Sequence, residues 1–143
     1  MYSKEETQHL KREFWIAFSE RYPRKWILYD TKIKDFSFKF YADNKKAQVL
    51  IAIENRNEEK RTAYFDNINT LKNVLSKDFD LDLVYEKKYF LENGKEISQI
   101  WIEKLNISLS DKKKWNEIFD FFNQKMSSLE LFYHQYDEII KNI

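Results

Sequence analysis

The sequence predicts an α+β fold, a mainly antiparallel five-stranded sheet packed with helices, in a single domain over residues 1–143. Three observations carry this. Residues 36–42 alternate apolar and polar side chains, as half-buried strands do. Asn93-Gly94 sits between two β-prone runs, where a hairpin turn needs a residue at positive φ. Apolar residues also recur every three or four positions near the start, middle and end of the chain, the spacing of helices with one buried face. The predicted order is helix, strand, strand, strand, helix, strand, strand, long helix.

Ser3 followed by Glu6 reads as a capping box, and Leu10, Phe14, Ala17 and Phe18 keep helical spacing until Tyr22 and Pro23, so the first helix covers about 4–21. Trp26 to Tyr29 is a short β-prone run and predicts a first strand. Phe36, Phe38, Phe40 and Ala42, separated by Ser37, Lys39 and Tyr41, predict a second strand with one apolar face and one wet face. Asp43-Asn44-Lys45-Lys46 supplies turn chemistry, and Ala47 to Ile53 pairs back as a third strand. Its Val49, Ile51 and Ile53 continue the apolar face, while Leu50 and Ala52 on the other side predict a central position in the sheet.

Asn57 caps a second helix of about 57–77, with Glu58 and Glu59 in its first turn and a stripe of Tyr64, Ile68, Leu71 and Leu75. Leu83 to Leu91 and Ile97 to Glu103 are the last two strands. From Ser110 onward Trp115, Ile118, Phe122, Met126, Leu129, Tyr133, Tyr136 and Ile140 hold helical steps. One helix of about 33 residues would be about 50 Å long, so a bend or break is expected, with Met126-Ser127-Ser128 as the soft place. A straight helix needs a partner for Leu129, Tyr133, Tyr136 and Ile140, and a second copy of the chain is the expected one, giving a homodimer through this helix.

A chain of 143 residues can bury one core without a disulfide or a metal. Its 25 basic and 24 acidic residues leave a formal charge of +1, which exerts no overall pull on nucleic acid or on an anionic membrane. With one glycine, neither a dinucleotide fingerprint nor a Walker A loop can be built. With no cysteine there is no thiolate nucleophile and no Cys-ligated zinc. No apolar run reaches the length of a membrane span, and MYSKEETQHL lacks the features of a signal peptide, so a cytoplasmic location without a membrane partner is expected. The four Trp, nine Tyr and twelve Phe are read first as core.

Helix, three strands, helix, strand is also the order in the core of restriction-endonuclease-like folds, which hold a metal with an Asp on one strand and Asp/Glu-x-Lys on the next. Here the third strand runs out as Glu54-Asn55-Arg56, and Asp43 is the nearest earlier acid. Asp43, Glu54 and Arg56 are therefore the candidate catalytic set of a divergent metal-dependent nuclease. Arg in the Lys position cannot act as a tunable base. Asp78, Asp80 and Asp82 have the opening spacing of a calcium loop, but Leu83 and Tyr89 stand where Gly and Glu are required. His9 and His134 have no nucleophile motif near them. A third reading is a nucleic-acid-binding sheet face: Lys39 and Tyr41 beside Gln48 and Leu50, with Lys45 and Lys46 from the hairpin. The leading expectation is a non-enzymatic interaction or accessory module with no cofactor and no resident metal.

Several segments together resemble a family. They are Tyr2-Ser3-Lys4-Glu5-Glu6 with Lys11-Arg12-Glu13-Phe14-Trp15, then Lys25-Trp26-Ile27, Tyr41-Ala42-Asp43-Asn44-Lys45-Lys46-Ala47 and Glu92-Asn93-Gly94-Lys95-Glu96-Ile97-Ser98. The chain resembles the uncharacterised bacterial domain of unknown function numbered 4268, over nearly its whole length. It is most similar to short, free-standing members, in which a Pro is expected within the long C-terminal helix; here no Pro follows Pro23. Longer relatives carry such a domain behind a nuclease-like segment, so the resemblance implies a setting in nucleic-acid processing or defence. It carries over no functional residue.

Overall fold

In a computed structural model, which describes residues 3–143, the chain forms helix α1 (Lys4–Arg21), strands β1 (Phe36–Ala42) and β2 (Lys46–Ile53), helices α2 (Glu58–Thr70) and α3 (Lys72–Phe79), strands β3 (Val84–Phe90) and β4 (Glu96–Leu105), and helix α4 (Trp115–Lys141). A single 3-10 turn at Lys112–Lys114 leads into α4. Tyr2 of the family-like opening lies outside the described residues. Both expected helix caps form. The Ser3 hydroxyl accepts from the Glu6 N–H at 3.1 Å, and the Asn57 side-chain oxygen Oδ1 accepts from the Lys60 N–H at 3.0 Å.

The sheet is four-stranded, ordered β1-β2-β4-β3, with every neighbouring pair antiparallel. Phe36, Phe38 and Phe40 lie opposite Ile53, Ile51 and Val49, and that face continues onto Ile100 and Ile102. Helices cover this one face. Phe18 of α1 and Phe122 of α4 meet Phe40 with ring centroids 5.1 and 4.9 Å away, Tyr133 meets Phe38 at 5.3 Å, and Tyr64 of α2 meets Phe36 at 5.9 Å. Each such ring buries roughly 150–250 Å², so this aromatic layer is a large part of the apolar core.

Four strands, not five, are present among the described residues. The run Trp26–Tyr29 is irregular because its polar backbone groups are satisfied elsewhere: the Ile27 N–H donates to a carboxylate oxygen of Glu130 at 2.6 Å. Leu28 then turns into the left-handed region at φ 46°, and its carbonyl takes one N–H from Phe38 at the edge of β1. A strand needs a repeating ladder, and this segment makes a single rung.

The expected second helix is divided at Leu71 into α2 and α3. The expected break at Met126 does not occur: Met126 is wholly buried in a continuous helix of 27 residues, about 40 Å long. Its distal stripe is filled within the chain. Phe132 and Tyr136 pack on Phe79 of α3 at 5.5 and 6.2 Å, and the Tyr133 hydroxyl donates to the Thr31 carbonyl. Leu129 and Ile140 are buried as well, and Tyr136 is half-buried, so the apolar stripe that called for a second copy already has its partners. The Asn67 amide donates to the carbonyls of Ile139, Ile140 and Asn142, which satisfies carbonyls at the end of α4 that lack helical partners. Among the described residues no helix is long and apolar enough to cross a membrane.

Glu130 is the buried acid of the core, paired with Arg24 and with the Ile27 N–H. Removing the carboxylate leaves the Ile27 N–H without its partner and frees the half-exposed Arg24. Glu130→Ala is expected to cost about 1.5–3 kcal/mol in urea unfolding, the range for hydrogen bonds to a charged group. The C-terminus of α3 offers a change of opposite sign. Asp80 sits at φ 54° and ψ 45°, and the Leu81 N–H closes back onto the Leu75 carbonyl at 3.0 Å. Glycine relieves the Cβ penalty of that backbone, so Asp80→Gly is expected to gain roughly 0.5–1 kcal/mol, read as a rise in Tm.

Candidate functional site

With all helices on one side, the opposite side of the sheet is left to the strands. Strand register brings Lys39 and Tyr41 of β1 beside Leu50 and Gln48 of β2, and sets Gln99 and Trp101 of β4 next to Ala52 and Leu50. The face is not flat. Strand β3 carries a bulge between Glu86 and Tyr89, and its extra residue changes which side the following side chains take. Tyr85 lies opposite Ile100 on the helix side, whereas Tyr89 lies opposite Ile97 on the open side, with its ring 5.7 Å from that of Trp101.

The hairpin beyond Tyr89 closes as a three-residue loop. The Gly94 N–H reaches the Leu91 carbonyl at 2.8 Å, the Leu91 N–H reaches the Lys95 carbonyl at 2.9 Å, and Gly94 stands at φ 85°. The glycine supplies positive φ as expected, but Asn93 does not share it, so this is not the two-residue turn that Asn-Gly suggests.

The result is a trough of about 320 Å³ on the open face. Its floor is Leu50, Ala52 and Ile97, all buried and forming a small apolar cluster of their own with Tyr89, Leu91 and Trp101 against it. Lys39 and Tyr41 stand on one wall, Tyr89 to Glu92 on the other, with Lys46 at the hairpin end and Glu54 at the opposite end. The ends are polar but mutually satisfied. Lys39 and Lys95 approach Glu54 at 3.4 and 3.8 Å. The Gln48 amide donates to Glu103 at 2.8 Å, and the Trp101 indole N–H donates to the same oxygen at 3.2 Å.

Tyr41 donates its hydroxyl to Asp43 at 2.8 Å. That hydrogen bond, with burial and the nearby charge of Asp43, pushes the phenol up to about 12, and Glu92 and Tyr89 act in the same direction. Burial works to raise the Asp43 carboxyl, but the N–H groups of Lys45 and Lys46 and the Tyr41 hydroxyl outweigh it and hold the group below its ordinary value.

Three of the four binding residues expected from sequence, Lys39, Tyr41 and Lys46, line the same trough. Lys45 does not; it points to a separate shallow cleft with Asn44, Ser108, Asp111 and Lys114. Asp43, Glu54 and Arg56 are not brought together. Asp43 follows the end of β1 and Glu54 follows the end of β2, so the eight residues of β2 lie between them, about 25 Å of strand. Arg56 is exposed on the way into α2. Among the described residues no three His, Asp or Glu are placed to hold a metal ion. His134 is exposed, and His9 pairs with Glu13 at 2.7 Å on the surface of α1. The sequence reading missed Gln99, Tyr89 and Trp101. Their alternation was visible, but the crossover that sets β4 beside β2 was not.

The raised phenol gives a pH test. The folded form keeps the Tyr41 proton above the ordinary tyrosine value of about 10, so its contribution to stability is fully present below pH 10 and is lost as pH rises through about 12. Tyr85 and Tyr133, both pushed to about 12 chiefly by burial, add to the same loss. Unfolding midpoints measured from pH 9 to 12 should therefore fall, and Tyr41→Phe should make the fall shallower.

No curated protein and no solved structure matches the chain. One family model does, described as Domain of unknown function (DUF4268), over residues 10–137. That span runs from within α1 to within α4 and takes in the whole sheet, so the chain belongs to this family.

Proposed function

We propose that the chain is a non-enzymatic binding module that holds single-stranded nucleic acid on the open face of its sheet, as an accessory to nucleic-acid processing. The observation that carries this is the convergence of Lys39, Tyr41 and Lys46 in one trough with an apolar floor. Single-strand binders pair aromatic side chains, on which bases stack, with cations that follow the phosphates. Tyr41 is 41% exposed, so its ring is available for stacking, and Tyr89 faces it across the trough. A volume of about 320 Å³ is near the lower limit for small-ligand pockets and suits one base, with the strand continuing outside.

The nuclease reading gains no support, because Asp43 and Glu54 stand at opposite ends of the strand pair and Glu54 is already engaged by two lysines.

Fluorescence anisotropy of a labelled single strand, titrated with the protein at rising salt, tests the proposal. Affinity should fall with salt at a log–log slope of about −0.7 per phosphate contacted. Tyr41→Ala should weaken binding by about 5- to 150-fold, the range for loss of one stacked base, and Lys46→Ala should make the slope shallower. Absence of binding at low salt, or binding that ignores salt and Tyr41, overturns it.

A further inference from the structure

Gln99 is the unexplained side chain of the trough. It lies on β4 opposite Ala52, is 6% exposed and lines the cavity. Yet its carboxamide makes no hydrogen bond with any described residue, while Gln48 on the neighbouring strand is tied to Glu103. A carboxamide has two N–H donors and an oxygen with two lone pairs, and here they are presented to the trough. Around it the floor is apolar, Leu50, Ala52 and Ile97, with Glu86 opposite it on β3. Its hydrogen-bonding capacity is open to whatever fills the trough.

The walls describe that partner. It is planar enough to lie against the Tyr89 ring. It carries a donor and an acceptor side by side in one plane, the pattern a primary amide meets with two parallel hydrogen bonds. Its inner edge is uncharged, since Lys39 and Glu54 already neutralise each other. A nucleobase has all three properties, and paired hydrogen bonds from Asn or Gln to a base edge are a recurrent means of base recognition. Resting on the reading of the trough as a single-strand site, we propose that Gln99 reads the hydrogen-bonding edge of the base held there, which makes this module base-selective. Stacking on Tyr41 and Tyr89 is indifferent to base identity, and Lys46 sees only phosphate. Gln99 is the element that discriminates.

The test compares short homopolymers of dA, dC and dT, and an abasic strand with the same phosphates, against the wild-type chain, Gln99→Leu and Gln99→Glu. The wild type should separate its best and worst homopolymers by about tenfold to a hundredfold, the range of one bidentate contact, and bind the abasic strand worst. Gln99→Leu should bring the homopolymers to within about twofold of one another and leave the salt slope unchanged. Gln99→Glu, which keeps acceptors and loses donors, should reorder them.

Equal binding of all homopolymers by the wild type, or selectivity that survives Gln99→Leu, overturns the inference while leaving the single-strand reading intact. Failure of every strand to bind the wild type removes both readings.

Discussion

Helix α4 buries one apolar stripe along almost its whole length, and the rest of the architecture follows from finding a surface long enough to receive it. One sheet face alone is too short for a helix of about 40 Å. The proximal part, around Trp115, Phe119 and Phe122, is received by α1 and β1, while the distal part, around Phe132 and Tyr136, is received by α3. Because α4 and its neighbours take up the same side of the sheet, the other side carries no helix. The site is a by-product of that asymmetry.

A second constraint acts at Glu130. The stretch from Arg24 to Asp30 runs past the edge of β1, where one backbone rung ties it to Phe38. A loop in that position would bury backbone groups without partners. One carboxylate on α4 removes the difficulty by accepting from the Ile27 N–H and from Arg24, whose guanidinium also sits 3.8 Å over the Trp26 ring. A charged group in the core thus fixes the path of a loop. The apolar layer beneath would tolerate several such paths.

What was legible in the sequence was local. Alternation from Phe36 to Ala42 assigned Lys39 and Tyr41 to the wet face, and turn chemistry at Asp43 set the register that brings Gln48 beside Tyr41. What was not legible was nonlocal. Trp26–Tyr29 has the composition of a strand, but a side chain more than a hundred residues later claims its backbone. The helical steps through Met126 carried no sign that α3 would cover them, so a second copy was called on for a surface the chain fills by itself. Gln99 falls in step with Ile97 and Trp101 on one face of the strand, in plain view. Its place in the trough depends on β4 lying between β2 and β3, an order that neighbouring residues do not encode.

The bulge in β3 has a consequence for how this chain can vary. Side chains in a strand have a period of two, so the single surplus residue between Glu86 and Tyr89 acts as a phase shift that sends Tyr85 inward and Tyr89 outward, although their numbers share the same parity. Loss of either Lys87 or Lys88 would remove the bulge and leave Tyr89 opposite Ile97 on the open side, whereas loss of both would set it opposite Ser98 and turn it toward the helices. A single deletion in this arm is then absorbed where the surplus residue sits, and a double one is not, a counting rule that composition alone does not reveal.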